Sequence, residues 1–174
     1  MRAYVTSHQL TAAKGLTFRF AHLDVQEILH SDVSVIVRQK ALDAYRLLDH
    51  RCVVEHSGLY MAALPGLPGG LGKIIWDCVQ DRMCTFLRAD DSREAVARSY
   101  LGYCDGRRVH VFSGETRGTI AERARGSYTF GWDPIFIPEG STETYGEMGP
   151  ERKAATSPIG RAWDAFVAAI DVDG

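Results

Sequence analysis

The stretch ARSYLGYCDGRRVHVFSGETRGTI, residues 97–120, places Asp105-Gly106 between two runs rich in β-branched and aromatic residues. Asp-Gly at the tip of such runs is the strongest short-range hairpin signal, because Gly accepts positive φ and Asp bonds its own backbone. A long β-hairpin is expected here. Downstream, YTFGWDPIFI (128–137) has strand composition, but Gly131 and Pro134 interrupt a ladder and favour a bulge or an exposed edge.

Upstream, Val37, Ala41, Ala44 and Leu48 recur at helical spacing between Ser34 and Leu48, with Arg38, Lys40 and Asp43 pointing elsewhere. That helix feeds a strand, RCVVEH (51–56). The following VVEHSGLY (53–60) runs a β-branched pair into an acid, a histidine and what reads as a Ser-Gly turn. LPGLPGGLGK (64–73) has two prolines and four glycines, which marks a loop where backbone approaches something closely, with a helix starting near Leu71. RAYVTS (2–7) reads as an opening strand ending in small polar residues. Near the other end, Ser157 and Pro158 read as an N-cap and first helical residue. Ile159, Ala162, Phe166 and Ile170 supply the buried stripe of a final helix.

The 174 residues, 45% of them hydrophobic, suit one domain spanning 1–174. A net charge of −2 gives no electrostatic footprint for nucleic acid. No membrane span or signal-peptide core is visible, so a cytoplasmic protein is expected. Cys52, Cys78, Cys84 and Cys104 stand singly, without metal-ligand spacing, and are expected to be buried reduced thiols.

Singly, the chemistry-bearing residues have ordinary explanations. Phe130 and Trp132 suit core packing. Lys153, Glu27 and Glu55 suit solvated surface. His8 and His56 suit capped or surface histidines. Their order along the chain is more informative. The motifs SGLYMAALPGLPG (57–69), GETRGTI (114–120), FGWDPIF (130–136) and TYGEMGPERKAATSPIGRA (144–162) resemble the inosine triphosphate pyrophosphatases over nearly the whole chain. Enzymes of that family hydrolyse ITP, dITP and XTP to monophosphate and pyrophosphate.

The resemblance implies an elongated α/β fold: a mixed, twisted β-sheet flanked by helices, two lobes with a central nucleotide cleft, and a homodimer. It implies that Phe130 and Trp132 stack on the purine while Asp133, Lys153 and Ser157 help fix the base. A 6-oxo purine offers an acceptor where adenine offers a donor, so a cation such as Lys153 suits it. It further implies phosphate contacts from Lys40, Lys73 and Ser57, and a Mg²⁺ or Mn²⁺ ion held by Glu27 and Glu55.

Three patches depart from the family pattern. The phosphate loop (T/S)GNxxK is here TSHQLTAAK, with Ser7, His8 and Thr11 at the Gly, Asn and Lys positions and Lys14 three residues late. The family's (E/D)D(S/T) is Glu55-His56-Ser57, so His56 stands where an essential acid serves as metal ligand or base. Its SHRGRA is Ser157-Pro158-Ile159-Gly160-Arg161-Ala162, without the histidine and the first arginine. Damaged phosphate and catalytic patches beside an intact clamp imply a nucleotide-binding protein with degenerate catalytic residues His56, Glu55 and Lys40. The resemblance extends to sensor subunits of Kongming-type antiphage defence, with a sirtuin-like NADase as effector. An alternative expectation is an active dITP/ITP/XTP pyrophosphatase, with His8 and His56 forming a different metal site.

Overall fold

The computed structural model describes residues 18–127 and 130–170. The predicted hairpin is its backbone: β3 (Glu94–Cys104) pairs with β4 (Val109–Ile120) in register Cys104↔Val109 through Glu94↔Thr119. Asp105 Oδ1 accepts the N–H groups of Arg107 and Arg108, each at 2.7 Å, and Gly106 takes φ +94°. Those two amides, with His110 behind them, hold the Asp105 carboxyl far below the usual carboxylate range.

β1 (Cys52–Met61) pairs antiparallel with the other edge of β3 along its whole length. The expected Ser-Gly turn is therefore strand. Gly58 is required there by crowding: a Cβ would lie 2.7 Å from Val33 Cγ2 and 2.8 Å from the Gly69 carbonyl oxygen. β2 (Pro68–Gly69) lies against Leu59 and Tyr60. α2 (Gly72–Val79) starts just after Leu71, as expected. The sheet order is β2-β1-β3-β4-β5, with every described pairing antiparallel. The opening strand expected at 2–7 lies outside the described residues.

Side chains alternate across a strand, so each face of this sheet can take its own helix. On one face sits α1 (Val33–Leu48), capped by Asp32, whose Oδ1 accepts the Ser34 N–H at 2.8 Å. It buries Val33, Ile36, Val37, Ala41 and Ala44. Ala41 and Ala44 pack with Cys52 and Cys104, and Val54 and Leu48 border them, partly buried. Gly102 makes this approach possible, since a Cβ there would meet the Val37 carbonyl oxygen at 2.8 Å.

On the opposite face sits α4 (Pro158–Ala169), following the short helix α3 (Pro150–Thr156). Leu101 packs with Ile159, Ala162, Trp163, Phe166 and Val167. The stripe is wider than periodicity implied: Trp163 and Val167 join it, while Ile170 is only partly buried. Phe166 meets Tyr103, Phe112 and Trp163 edge-on at 5.3–5.5 Å, the arrangement ring quadrupoles favour. Pro158 follows Ser157 as predicted, although the Ser157 side chain makes no capping bond.

The segment 128–137 is not one strand. A 3₁₀ turn, Asp133–Ile135, precedes a three-residue edge strand β5 (Phe136–Pro138). Pro134 explains this, since it lacks the N–H a continuous ladder needs. Trp132, Ile135 and Phe136 instead fill a third core with Leu59, Met61, Trp76 and Met83. All four cysteines are free, but Cys78 is exposed rather than buried. Cys52 pairs in register with Cys104, and burial pushes its thiol up to about 11. Among the described residues, no helix is long and apolar enough to cross a membrane.

Candidate functional site

The alternation that separates α1 from α4 also divides the predicted site. On β1, Cys52 and Val54 pack against α1, whereas Val53 packs with the α4 cluster. His56 therefore faces α1, and Glu55 and Ser57 face the α4 side.

On the α1 side, three predicted residues meet. Lys40 Nζ donates to Glu27 Oε1 at 2.5 Å and to the Glu55 carbonyl oxygen at 3.2 Å. His56 Nδ1 lies 3.5 Å from the same Glu27 oxygen. Burial opposes the charge on Glu27, but Lys40 and then His56 outweigh it and hold the carboxyl below its ordinary range. The His56 side chain is 9% exposed, and its Nε2 is buried without a hydrogen-bond partner. Lys73, also assigned to phosphate, lies on the surface of α2 and interacts electrostatically with Glu27. It is 70% exposed and bonds Asp77 at 2.6 Å, one turn along. Ser7, His8 and Thr11 lie outside the described residues.

On the other face, Ser57 Oγ donates to Glu55 Oε1 at 3.1 Å and lies 2.7 Å from Ser99 Oγ. A serine hydroxyl has one proton. Since Ser57 spends it on Glu55, Ser99 must donate to Ser57. Ser99 is buried and was not anticipated, because only strand register places it opposite Ser57.

The clamp residues assemble beyond β4. Phe130 is 51% exposed, and Lys153 Nζ lies 4.8 Å from its ring centroid. Lys153 also pairs with Asp133 Oδ2. Asp133 is 2% exposed, and burial raises its carboxyl pKa against the pull of Lys153. Its Oδ1 is buried without a partner. Trp132 is only 6% exposed, edge-on to both Phe130 and Phe136. Of the two rings expected to stack, Phe130 is the exposed one and Trp132 packs behind it in the core.

Two residues that sequence reasoning missed hold this clamp. The Thr156 carbonyl, at the end of α3, accepts from Thr116 Oγ1 at 2.6 Å and from the buried Tyr145 hydroxyl at 3.0 Å. These bonds tie the helix bearing Lys153 to the sheet. Ser157 joins through its backbone, its N–H donating to the Lys153 carbonyl at 2.8 Å.

The resemblance implies a divalent cation at this site. Mg²⁺ needs several oxygen ligands in near-octahedral geometry. Glu27 and Glu55 present their carboxylates on opposite faces of the sheet, and the group beside Glu27 is imidazole. No cluster of three His, Cys, Asp or Glu side chains forms among the described residues. The predicted Glu27–Glu55 pair does not fit the ion, because adjacent strand positions send Glu55 and His56 apart. A separate groove of about 870 Å³ is lined in part by Tyr60, Arg98, Glu115 and Arg117, and by none of the predicted residues.

A five-stranded α/β core carrying an aromatic–cation–carboxylate clamp defines a protein of the nucleotide pyrophosphatase type of fold. The chain belongs to the Ham1 family, whose model matches residues 1–169. It is 35% identical over 165 residues to a dITP/XTP pyrophosphatase of Methanopyrus kandleri, covering 94% of this chain and 88% of that protein. It is 40% identical over 138 residues to a dITP/XTP pyrophosphatase of Pyrobaculum aerophilum, covering 79% and 74%. Among solved structures, a nucleoside-triphosphatase / dITP/XTP pyrophosphatase of Mycobacterium abscessus superposes with a TM-score of 0.73 at 25% identity, covering 95% of this chain and 92% of that one.

Proposed function

We propose that this chain binds a deaminated purine nucleoside triphosphate, dITP or ITP, and turns it over weakly or not at all, serving as a cytoplasmic nucleotide sensor or regulatory subunit. The observation that carries the reading is the clamp: an exposed Phe130 face, the Lys153 ammonium, and a buried Asp133 oxygen with no partner. Stacking on an aromatic contributes about 1–3 kcal/mol per base and accepts any purine. Selectivity comes from the polar pair. Hypoxanthine presents an N1–H donor that Asp133 accepts and an O6 acceptor that Lys153 serves; adenine reverses both.

Weak turnover follows from the other end of the site. Hydrolysis needs a base or metal-bound water at the phosphate. His56 replaces the family acid, and the neighbouring Glu55 points to the opposite face. A protein that binds without destroying its ligand reports concentration by mass action. In this reading it acts as a homodimer. It signals to an effector protein such as a sirtuin-like NADase in antiphage defence.

The second reading is an active dITP/ITP/XTP pyrophosphatase. Relatives that carry that name at 35% and 40% identity favour it. Incubating the purified protein with dITP and Mg²⁺ or Mn²⁺, while measuring binding and pyrophosphate together, separates the two. Binding with little pyrophosphate supports the sensor; turnover near one per second or faster, about the rate of ordinary enzymes, supports the enzyme.

A further inference from the structure

Resting on the nucleotide-binding reading, we propose that Lys40 takes the place of a protein-held divalent cation, so that this chain binds its triphosphate without a resident metal. The argument starts from the seat itself. An ammonium has three N–H donors and no acceptor. Lys40 spends one on Glu27 Oε1 and one on the Glu55 carbonyl oxygen, which leaves one donor free for a phosphate oxygen.

The seat is also matched in charge. Glu27 contributes one negative charge and Lys40 one positive charge, so a dication entering there would meet a carboxylate already neutralised. It would meet a lysine that repels it as well, since like charges in such proximity disfavour each other by Coulomb's law. To bind, the ion would have to share the Glu27 carboxylate with Lys40 and then find further oxygen ligands. The next carboxylate, Glu55, faces away and is engaged by Ser57 at 3.1 Å. Beside Glu27 among the described residues is also His56, a nitrogen ligand that hard cations bind poorly.

His56 supplies an independent observation. Its side chain is 9% exposed, its Nδ1 is turned to Glu27, and its buried Nε2 has no partner. Buried polar atoms are ordinarily satisfied, so this unpartnered nitrogen marks an incompletely bonded edge of the site. The donor left over for an anion is therefore the third N–H of Lys40, beside a carboxylate and an imidazole.

The test is calorimetric titration of the full-length protein with dITP in excess EDTA and again in Mg²⁺. Affinities within about threefold of each other are expected, a difference of well under 1 kcal/mol. A loss of about tenfold or more in EDTA, restored by Mg²⁺, overturns the inference while leaving nucleotide binding intact. Absence of binding in both buffers overturns the nucleotide reading and this inference together. A second arm uses Mn²⁺ and the unliganded protein, followed by electron paramagnetic resonance. No saturable site is expected; micromolar Mn²⁺ binding that disappears in Glu27→Gln overturns the inference. Lys40→Gln should weaken dITP about tenfold or more in EDTA, with a melting curve confirming that the variant is folded. Unchanged affinity in that folded variant overturns it too.

Discussion

The clamp and the phosphate seat are built differently. Behind Phe130 and Lys153 stand Trp132, Asp133 and Tyr145, each less than 10% exposed. The seat around Lys40 draws Glu27 from an irregular segment, and two of its expected partners, Glu55 and Ser57, face the other side of the sheet. In the proposed reading, base recognition is therefore preorganised by the same core that stabilises the fold. In the same reading, phosphate binding depends on a few side chains outside that core, which can change without disturbing it. A chain can keep the first while losing the second.

The sharpest way to break this contrast is Trp132→Ala. If the ring supports the clamp from within the core, its loss should destabilise the protein by about 3–5 kcal/mol, as large aromatic truncations in cores do, read by urea denaturation. A stable variant with only weakened nucleotide binding would return Trp132 to the stacking role. Phe130→Ala is the counterpart. With half its surface in solvent, it should leave stability nearly unchanged and cost about 1–3 kcal/mol of dITP affinity by calorimetry. Unaltered affinity would move the base elsewhere.

A third measurement sharpens base selectivity. dITP should bind more tightly than dATP to the unmodified protein, and Lys153→Met should shrink the gap, because the O6 acceptor loses its donor. Equal affinities for the two nucleotides in the parent protein would remove the polar part of the clamp.

The pH dependence of stability probes Asp133. Its folded pKa is raised, with burial the leading cause. Protons therefore bind the folded state more readily at this site, and the stability it contributes is present below the unfolded carboxylate pKa and lost as pH rises through the folded value. Asp133→Asn should gain stability relative to the parent as pH rises from the acid range to neutrality, followed by denaturation at several pH values. A gap that narrows over that interval would mean Lys153 outweighs burial.

The smallest expected effect lies in the seat. His56→Asp should yield at most a trace of pyrophosphate from dITP with Mg²⁺. Adding His8→Asn and Thr11→Lys should yield more, since groups acting on one triphosphate need not contribute additively. Full turnover from the single change would show that the phosphate end was intact apart from one residue.

Much of this organisation was legible beforehand because it repeats. Helical spacing located α1 and α4, and the Asp-Gly tip located β3 and β4, since these patterns follow from local geometry. Motif order pointed to the clamp. The extent of β1 was not legible: Ser57-Gly58 looks like a turn in isolation, and only the crowding from Val33 and Gly69 shows why a glycine sits mid-strand. Nor could spacing alone show that α4 buries Trp163 and Val167, because the width of an apolar stripe depends on the face it meets.

By itself, the sequence determined the family, the element types and the identity of the residues that carry charge and aromatic surface. The tertiary structure decided which of them meet. Glu55 and His56 are neighbours in the chain yet lie on opposite faces, because a strand turns successive side chains through half a revolution. Ser57 and Ser99 are 42 positions apart yet share a hydrogen bond, because antiparallel register sets them opposite. Phe130 and Trp132 are two positions apart, but only the packing of Trp132 against Phe136 leaves Phe130 as the free ring. Composition limits what a side chain can do; pairing and burial select which partner it does it with.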